Sequence, residues 1–155
     1  AVLHRVLLSL HSGLRWVVLV MLVLALVNAI RGWRSGAEMT KRDKGIKGGA
    51  IGLADLQLLL GLTLYATGPW IDTFREDMGL VMRTTVLRFF VVEHVTGMLA
   101  ALVALHVGSV LSKRAKEPAA QHKRLAIGLG IALLLILASI PWPFMPYGRP
   151  LLTLG

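Results

Sequence analysis

The sequence contains no cysteine, and only 8 of its 155 residues are acidic. The absence of thiols excludes disulfides, thiolate-bound iron–sulfur clusters and the thioether attachment of c-type haem. Any cofactor must therefore be held by histidine, methionine or non-covalent contacts. The apolar stretches show no alternation of polar and apolar residues, which excludes a transmembrane β-barrel. No internal repeat or low-complexity segment is apparent.

Apolar residues are abundant instead: 55% of the residues are hydrophobic, and the mean hydropathy is +0.70. Four apolar stretches reach or approach the roughly 20 residues that a helix needs to cross about 30 Å of hydrocarbon. Because the bilayer core contains no water, each stretch must satisfy its backbone N–H and C=O groups by hydrogen bonds within itself, as a helix does. The predicted fold is one all-α domain in the lipid bilayer, an up-down-up-down bundle of four transmembrane helices spanning 6–32, 48–68, 84–113 and 122–140.

The two ends of the chain raise separate questions. The first apolar run is longer than the roughly 7 to 15 residues of a signal peptide, and no small-residue cleavage site follows it, so we expect it to be a true span. Near the other end, Pro141, Pro143 and Pro146 cannot continue a helix. They predict that the fourth span stops there and that an ordered or semi-extended tail follows.

The net charge of +9 is concentrated in two loops. Residues 31–47 carry six basic and two acidic residues, and residues 113–124 carry five basic and one acidic residue. The positive-inside rule predicts that both loops are cytoplasmic and both termini outside. Trp70, Trp142 and Tyr147 would lie near the outer interface and Trp33 near the inner one. The charge is therefore interpreted as a topological signal, and no nucleic-acid partner is expected.

Two histidines lie at matching depth in spans that run in the same direction. His11 is 20 residues before Arg31 and His94 is 19 before Lys113, which places the pair within roughly 2 Å of one depth. Spans one and three are diagonal in a square bundle, so the two imidazoles are predicted to hold one metal macrocycle in the outer half. Gly97 and Ala101 would leave room for the ring. The alternative is an interfacial His11 and a His94 that only hydrogen-bonds a neighbouring helix.

Two arginines lie close to this predicted site. Arg15 shares a helical face with His11 and needs a partner, for which the candidates are a cofactor carboxylate, a quinone or lipid head group, or Glu93. Arg88 lies about one and a half turns outside His94, where it would pair with a cofactor carboxylate or serve as an interfacial anchor.

A second polar site is predicted in the inner half. His106 is seven residues before Lys113 and Asp55 is eight after Lys47, so the two lie at similar depth. With Gln57 nearby, they would carry protons, contact a quinone ring or form a structural hydrogen bond. His4 and His122 are assigned to the interfaces without a specific role, and Met21, Met82 and Met98 to apolar packing.

Four segments carry a family resemblance: His11–Trp16 (HSGLRW), Gln57–Gly61 (QLLLG), Leu87–His94 (LRFFVVEH) and Ile140–Phe144 (IPWPF). They resemble short four-helix membrane proteins of Bacteroidota that are labelled cytochrome B, and the resemblance covers nearly the whole chain. It implies b-type haem. Such proteins often have histidine at the place of Asp55 and lack it at the place of His106, which would fit a contact between those positions.

The expected function is that of a small b-type cytochrome of the bacterial inner membrane. One haem b, ligated by His11 and His94, would relay electrons between the quinone pool and a partner protein. The chain has no room for a catalytic domain, so we expect an electron-transfer subunit of a larger respiratory complex or a homodimer. The alternatives are a non-redox structural or chlorophyll-binding subunit and, less favoured, a transporter, since no span is broken in mid-membrane and no inverted repeat is visible.

Overall fold

The computed structural model describes residues 2–154, which contain six helices and no strand. The helices are α1 (Val2–Ser35), α2 (Lys41–Thr67), α3 (Trp70–Glu76), α4 (Met78–Arg83), α5 (Thr85–Arg114, with a π-helical turn at Phe89–Glu93) and α6 (Pro118–Ser139). Helices α1, α2, α5 and α6 are long and apolar enough to cross a membrane. The predicted all-α fold with four membrane-spanning helices is confirmed.

The helix ends lie within about four residues of the predicted span ends, except that α2 begins at Lys41, well before the predicted start at residue 48. A capping box sets this start. The Thr40 hydroxyl accepts from the Asp43 backbone N–H at 3.1 Å, and the Asp43 carboxylate accepts from the Thr40 backbone N–H at 2.8 Å. Because two helix-start donors are satisfied in this way, most of the polar segment predicted as a loop becomes helix.

The four long helices are arranged as a square. Helix α1 packs along α2 on one side and along α6 on the other, and α5 packs most closely against α6. The seam between α2 and α5 is the loosest of the four sides. This order places α1 and α5 on one diagonal of the bundle. We call the end that holds both chain termini the terminal end, and the end that holds the two basic loops the basic end.

Small residues allow α5 and α6 to approach closely. A Cβ added to Gly108 would lie 2.9 Å from Gly128 Cα, and one added to Gly128 would lie 2.9 Å from the Ala104 carbonyl oxygen. These neighbours are backbone atoms that no side-chain rotation can move. Small residues commonly line the contacts of transmembrane helices because they let two backbones approach.

His122 holds the basic end of the bundle together. Its side chain is buried, its Nε2–H donates to the Ala37 carbonyl at 3.0 Å, and its ring packs directly on Gly32. The expectation that His122 has no specific role is therefore wrong. It ties the start of α6 to the connection between α1 and α2.

The segment after α6 folds back over the terminal end. The Tyr147 ring stacks on Phe89 with centroids 3.7 Å apart, and the Arg149 guanidinium lies 4.7 Å from the Phe90 ring centroid. Farther on, the Thr153 backbone N–H donates to the Ser12 hydroxyl at 2.9 Å. The tail thus runs from α6 over the start of α5 to α1, in an ordered conformation as expected.

Candidate histidine-pair site between α1 and α5

His11 on α1 and His94 on α5 meet inside the bundle. Their ring centroids are 6.4 Å apart, and the ring planes are nearly perpendicular, at 81°. Both residues are partly buried. The diagonal arrangement of α1 and α5 is what turns the two imidazoles toward each other across the interior.

The hydrogen bond of His94 establishes which of its nitrogens carries the proton. His94 Nδ1 lies 2.6 Å from the backbone carbonyl oxygen of Ser139, at the end of α6. A carbonyl oxygen can only accept, so Nδ1 must be the donor. In the neutral ring the lone pair then resides on Nε2. A histidine held in this way is prepared to bind a metal through Nε2, with its other nitrogen fixed by a backbone carbonyl.

The π-helical turn before His94 decides where its ring points. The His94 backbone N–H bonds to the carbonyl of Phe89, five residues earlier, instead of four. Tyr65 on α2 supports this turn, since its hydroxyl donates to the Val91 carbonyl at 2.8 Å. A π turn inserts one residue and so rotates the following helix, by about 100° per residue, relative to an uninterrupted one. The orientation of His94 therefore depends on this turn.

His11 has a different environment. Its ring packs on Gly61 of α2, where a Cβ would lie 3.0 Å from His11 Cε1. Its Nδ1 atom is buried and has no hydrogen-bond partner. The backbone carbonyl of His11 accepts from the Gln57 side-chain amide at 2.7 Å. Gln57 was expected beside Asp55 and His106, and this expectation is wrong because its side chain turns toward α1.

Gly97 lies on a different face from the predicted one. A Cβ at this position would lie 2.9 Å from Ser139 Cβ and would collide with the Ser139 hydroxyl. Gly97 therefore makes room for α6, and the expectation that it borders a ring between the histidines is wrong. Its indirect effect on the site is clear, because the close approach of Ser139 brings the Ser139 carbonyl to His94.

Arg15 is bound by the tail. Its Nη2 atom donates to the carbonyl of Leu151, which also accepts from the Trp16 indole N–H at 2.9 Å. The guanidinium lies 5.2 Å from the Trp16 ring centroid, and its Nε atom is buried without a partner. The proposed Arg15–Glu93 ion pair is absent, and that alternative is wrong, because Glu93 is engaged on its own helix.

The partner of Glu93 is Arg88. Arg88 Nε lies 2.7 Å from Glu93 Oε1, and Arg88 Nη1 donates to the Met82 carbonyl at 3.0 Å. Both side chains are partly exposed at the terminal end. This ion pair offsets the positive charge that was expected to face a cofactor carboxylate.

Asp55 and His106 lie together in the basic half of the bundle. His106 Nε2 is 2.8 Å from Asp55 Oδ1, which joins α5 to α2 across their loose seam. Both side chains remain about half exposed on the outside of the bundle, at 44% for Asp55 and 54% for His106. Within a membrane this polar pair would face lipid or another protein chain.

Among residues 2–154 no group of three or more histidine, cysteine, aspartate or glutamate side chains could hold a metal ion. The site therefore consists of two facing imidazoles with their supports. Sequence reasoning missed the two main supports, the Ser139 carbonyl and the Tyr65 hydroxyl. Ser139 acts through its backbone, which leaves no signal in the sequence, whereas a tyrosine inside an apolar span was a visible sign of a buried hydroxyl in need of a partner.

Comparisons with protein-family models, with curated proteins and with solved structures find no match to the chain.

Proposed function

We propose that the protein is a small membrane cytochrome that holds one b-type haem between His11 and His94. The observation that carries this proposal is the spacing of the two rings. A metal–imidazole bond is about 2 Å long, and a ring nitrogen lies about 1.1 Å from its centroid, so two imidazoles that held one metal from opposite sides would have centroids about 6.2 Å apart. The centroids of His11 and His94 are 6.4 Å apart.

The supports of the two rings fit the same role. Ser139 holds the His94 Nδ1–H and leaves Nε2 available, which is the arrangement that orients metal-ligating histidines. The unpartnered Nδ1 of His11 is a buried polar atom that costs free energy unless a bound group satisfies it. Two protein ligands are sufficient for an iron that a macrocycle already holds through four nitrogens. The perpendicular ring planes are no obstacle, because two imidazoles that held one metal would not need parallel ring planes.

Bound haem would supply one-electron transfer. The chain's own residues would set the environment of this chemistry. Arg15 lies one helical turn after His11 on α1, and a fixed positive charge near a redox centre favours its reduced state. The tail shields the terminal end, since the stacked rings of Tyr147 and Phe89 cover the approach to His94.

The position of the second polar pair supports a role within an assembly. Asp55 and His106 are hydrogen-bonded to each other and still face outward from spans that would lie in hydrocarbon. Ionisable groups are expensive when they face lipid and commonly mark a functional contact. In this proposal a quinone head group or a neighbouring subunit, including a second copy of the chain, covers them. The basic loops would lie on the cytoplasmic side of a bacterial inner membrane.

The test is an optical spectrum of protein purified from a haem-sufficient host. We expect a reduced-minus-oxidised difference spectrum of low-spin haem, which is lost in His11→Ala and in His94→Ala. The matched control is His106→Ala, which removes an imidazole from the same helix as His94 and should leave the spectrum intact. Haem-free wild-type protein, or a spectrum that survives both site variants, would refute the proposal.

The same variants separate haem from the alternative pigment. Magnesium in a chlorophyll requires only one axial ligand, so a chlorophyll site should survive the loss of one histidine. Chlorophyll that remains bound in His11→Ala would indicate an antenna or structural subunit. Wild-type protein without any pigment would favour a purely structural role for the two histidines.

A further inference from the structure

The basic end of the bundle contains a cavity of about 540 Å³ that no part of the proposed cytochrome function uses. It lies where the start of α2 meets the end of α5 and the start of α6. Three lysines line it: Lys44 and Lys47 from α2, and Lys113 from α5. Glu38 is the one acidic residue of the lining.

The three lysines have no ion-pair partner. Within residues 2–154 the ion pairs are Arg88–Glu93 and His106–Asp55, both outside this cavity. Glu38 therefore neutralises none of the lysines at contact distance. The cavity concentrates unpaired positive charge.

Lys47 is the most unusual of the three. Only 8% of the residue is exposed, although lysine is seldom buried without a partner. The carboxylate of Asp43, one turn earlier on α2, forms no ion pair with Lys47 and accepts instead from the Thr40 backbone, the Thr40 hydroxyl and the Asn28 amide. The stem of Lys47 is therefore covered by protein, while its ammonium group stays accessible and has no counter-charge in contact, so an anion in the cavity would meet an unpaired charge.

Two other polar side chains of the wall already donate to backbone carbonyls. The Ser112 hydroxyl donates to the Gln121 carbonyl at 2.8 Å, and the Gln121 side-chain amide donates to the Ala115 carbonyl at 3.0 Å. These bonds hold the end of α5 against the start of α6 and give the cavity a fixed wall. The lysine ammonium groups are left as the donors that an incoming ligand would meet.

We propose that this cavity binds a phosphate group through Lys44, Lys47 and Lys113. Phosphate oxygens accept charge-assisted hydrogen bonds from lysine, and basic pockets between transmembrane helices are suited to phosphate-bearing lipid head groups. An anionic phospholipid and a free phosphate share this chemistry. The proposal does not depend on haem binding at His11 and His94.

The test is a titration of delipidated, detergent-solubilised protein, with thermal unfolding as the measurement. The probes are phosphatidylglycerol, the zwitterionic phosphatidylcholine and inorganic phosphate. We expect phosphatidylglycerol to stabilise the wild-type protein and Lys47→Gln or Lys113→Gln to weaken its apparent affinity about fivefold or more, since each lysine contributes about a fivefold factor. Lys116→Gln, which removes an exposed charge outside the cavity, is the control and should change the affinity less than twofold.

The outcomes separate the ligand sources. Protection by phosphatidylglycerol that inorganic phosphate does not reproduce supports a lipid head group, and equal protection by inorganic phosphate supports a free phosphate. If phosphatidylcholine protects as well as phosphatidylglycerol, or if Lys116→Gln weakens binding as much as Lys113→Gln, the proposal is overturned. Lys113 is exposed, so its variant keeps the test decisive even if Lys47→Gln fails to fold.

Discussion

Replacing Gly97 by alanine should push α6 away from α5 and disturb the support of His94. The new Cβ would lie 2.9 Å from Ser139 Cβ, whereas carbon atoms in contact are about 3.5–4.0 Å apart. The two helices must then separate by several tenths of an ångström or more. Overpacking of this kind costs about 1–3 kcal/mol. We therefore expect the free energy of unfolding of Gly97→Ala to fall by that amount.

The separation should also lengthen the hydrogen bond from His94 Nδ1 to the Ser139 carbonyl, which is 2.6 Å long. Weakening that bond would loosen the His94 ring, so any cofactor bound to His94 should be released at a lower denaturant concentration. Stability can be followed by circular dichroism during SDS titration of protein in detergent micelles. The same titration, followed by the absorption of a bound pigment, measures the release of the pigment from the site separately from unfolding.

A double-mutant cycle identifies the cause. Ser139→Gly in the Gly97→Ala background removes both the Cβ and the hydroxyl that collide, so it should recover most of the lost stability, apart from the roughly 1 kcal/mol that glycine costs in a helix. Ser139→Ala keeps the Cβ contact and should recover only part. Wild-type stability for Gly97→Ala, or no recovery in the double variant, would show that the α5–α6 contact does not act as we infer.

Two further predictions concern the packing of the bundle. Gly128→Leu should lower the free energy of unfolding by about 1–3 kcal/mol or more, because the side chain would meet the backbone of Gly108. Gly130→Leu, with open space around it, should instead be neutral or stabilising by up to about 1 kcal/mol when both are measured by SDS titration. Tyr65→Phe removes the hydroxyl that donates to the Val91 carbonyl in the π turn, and we expect it to lower the free energy of unfolding by about 1–2 kcal/mol. It should also shift the absorption spectrum of any pigment bound at His94. An unchanged stability would mean that the turn does not need this bond.

The depth of the main residues could be predicted from the sequence, because helical rise is constant. His11 and His94 lie opposite each other, and Asp55 meets His106 at 2.8 Å, as counting from the basic anchors suggested. The same counting placed Arg15 near Glu93 and failed there. Depth alone does not say which of several polar groups at one level a side chain will reach.

The sequence contains a helix-start signal for α2 that the prediction of the spans did not use. Thr40 and Asp43 have the spacing of a capping box, and the structure begins the helix there. Gly97 shows the opposite case. Its small size was read correctly as a sign of close approach, yet only the packing of the helices shows that the approaching group is Ser139.

Hydropathy, charge and helical rise are properties of single residues and short segments, so membrane class, number of spans and depth follow from the order of the amino acids. Rotation of a helix about its axis is different, because it depends on which neighbours pack against it and on local changes such as the π turn at Phe89–Glu93. That turn orients His94, Ser139 fixes its proton, and the folded tail binds Arg15. Each of these contacts joins residues through packing or backbone atoms, and the assembled bundle alone brings them together.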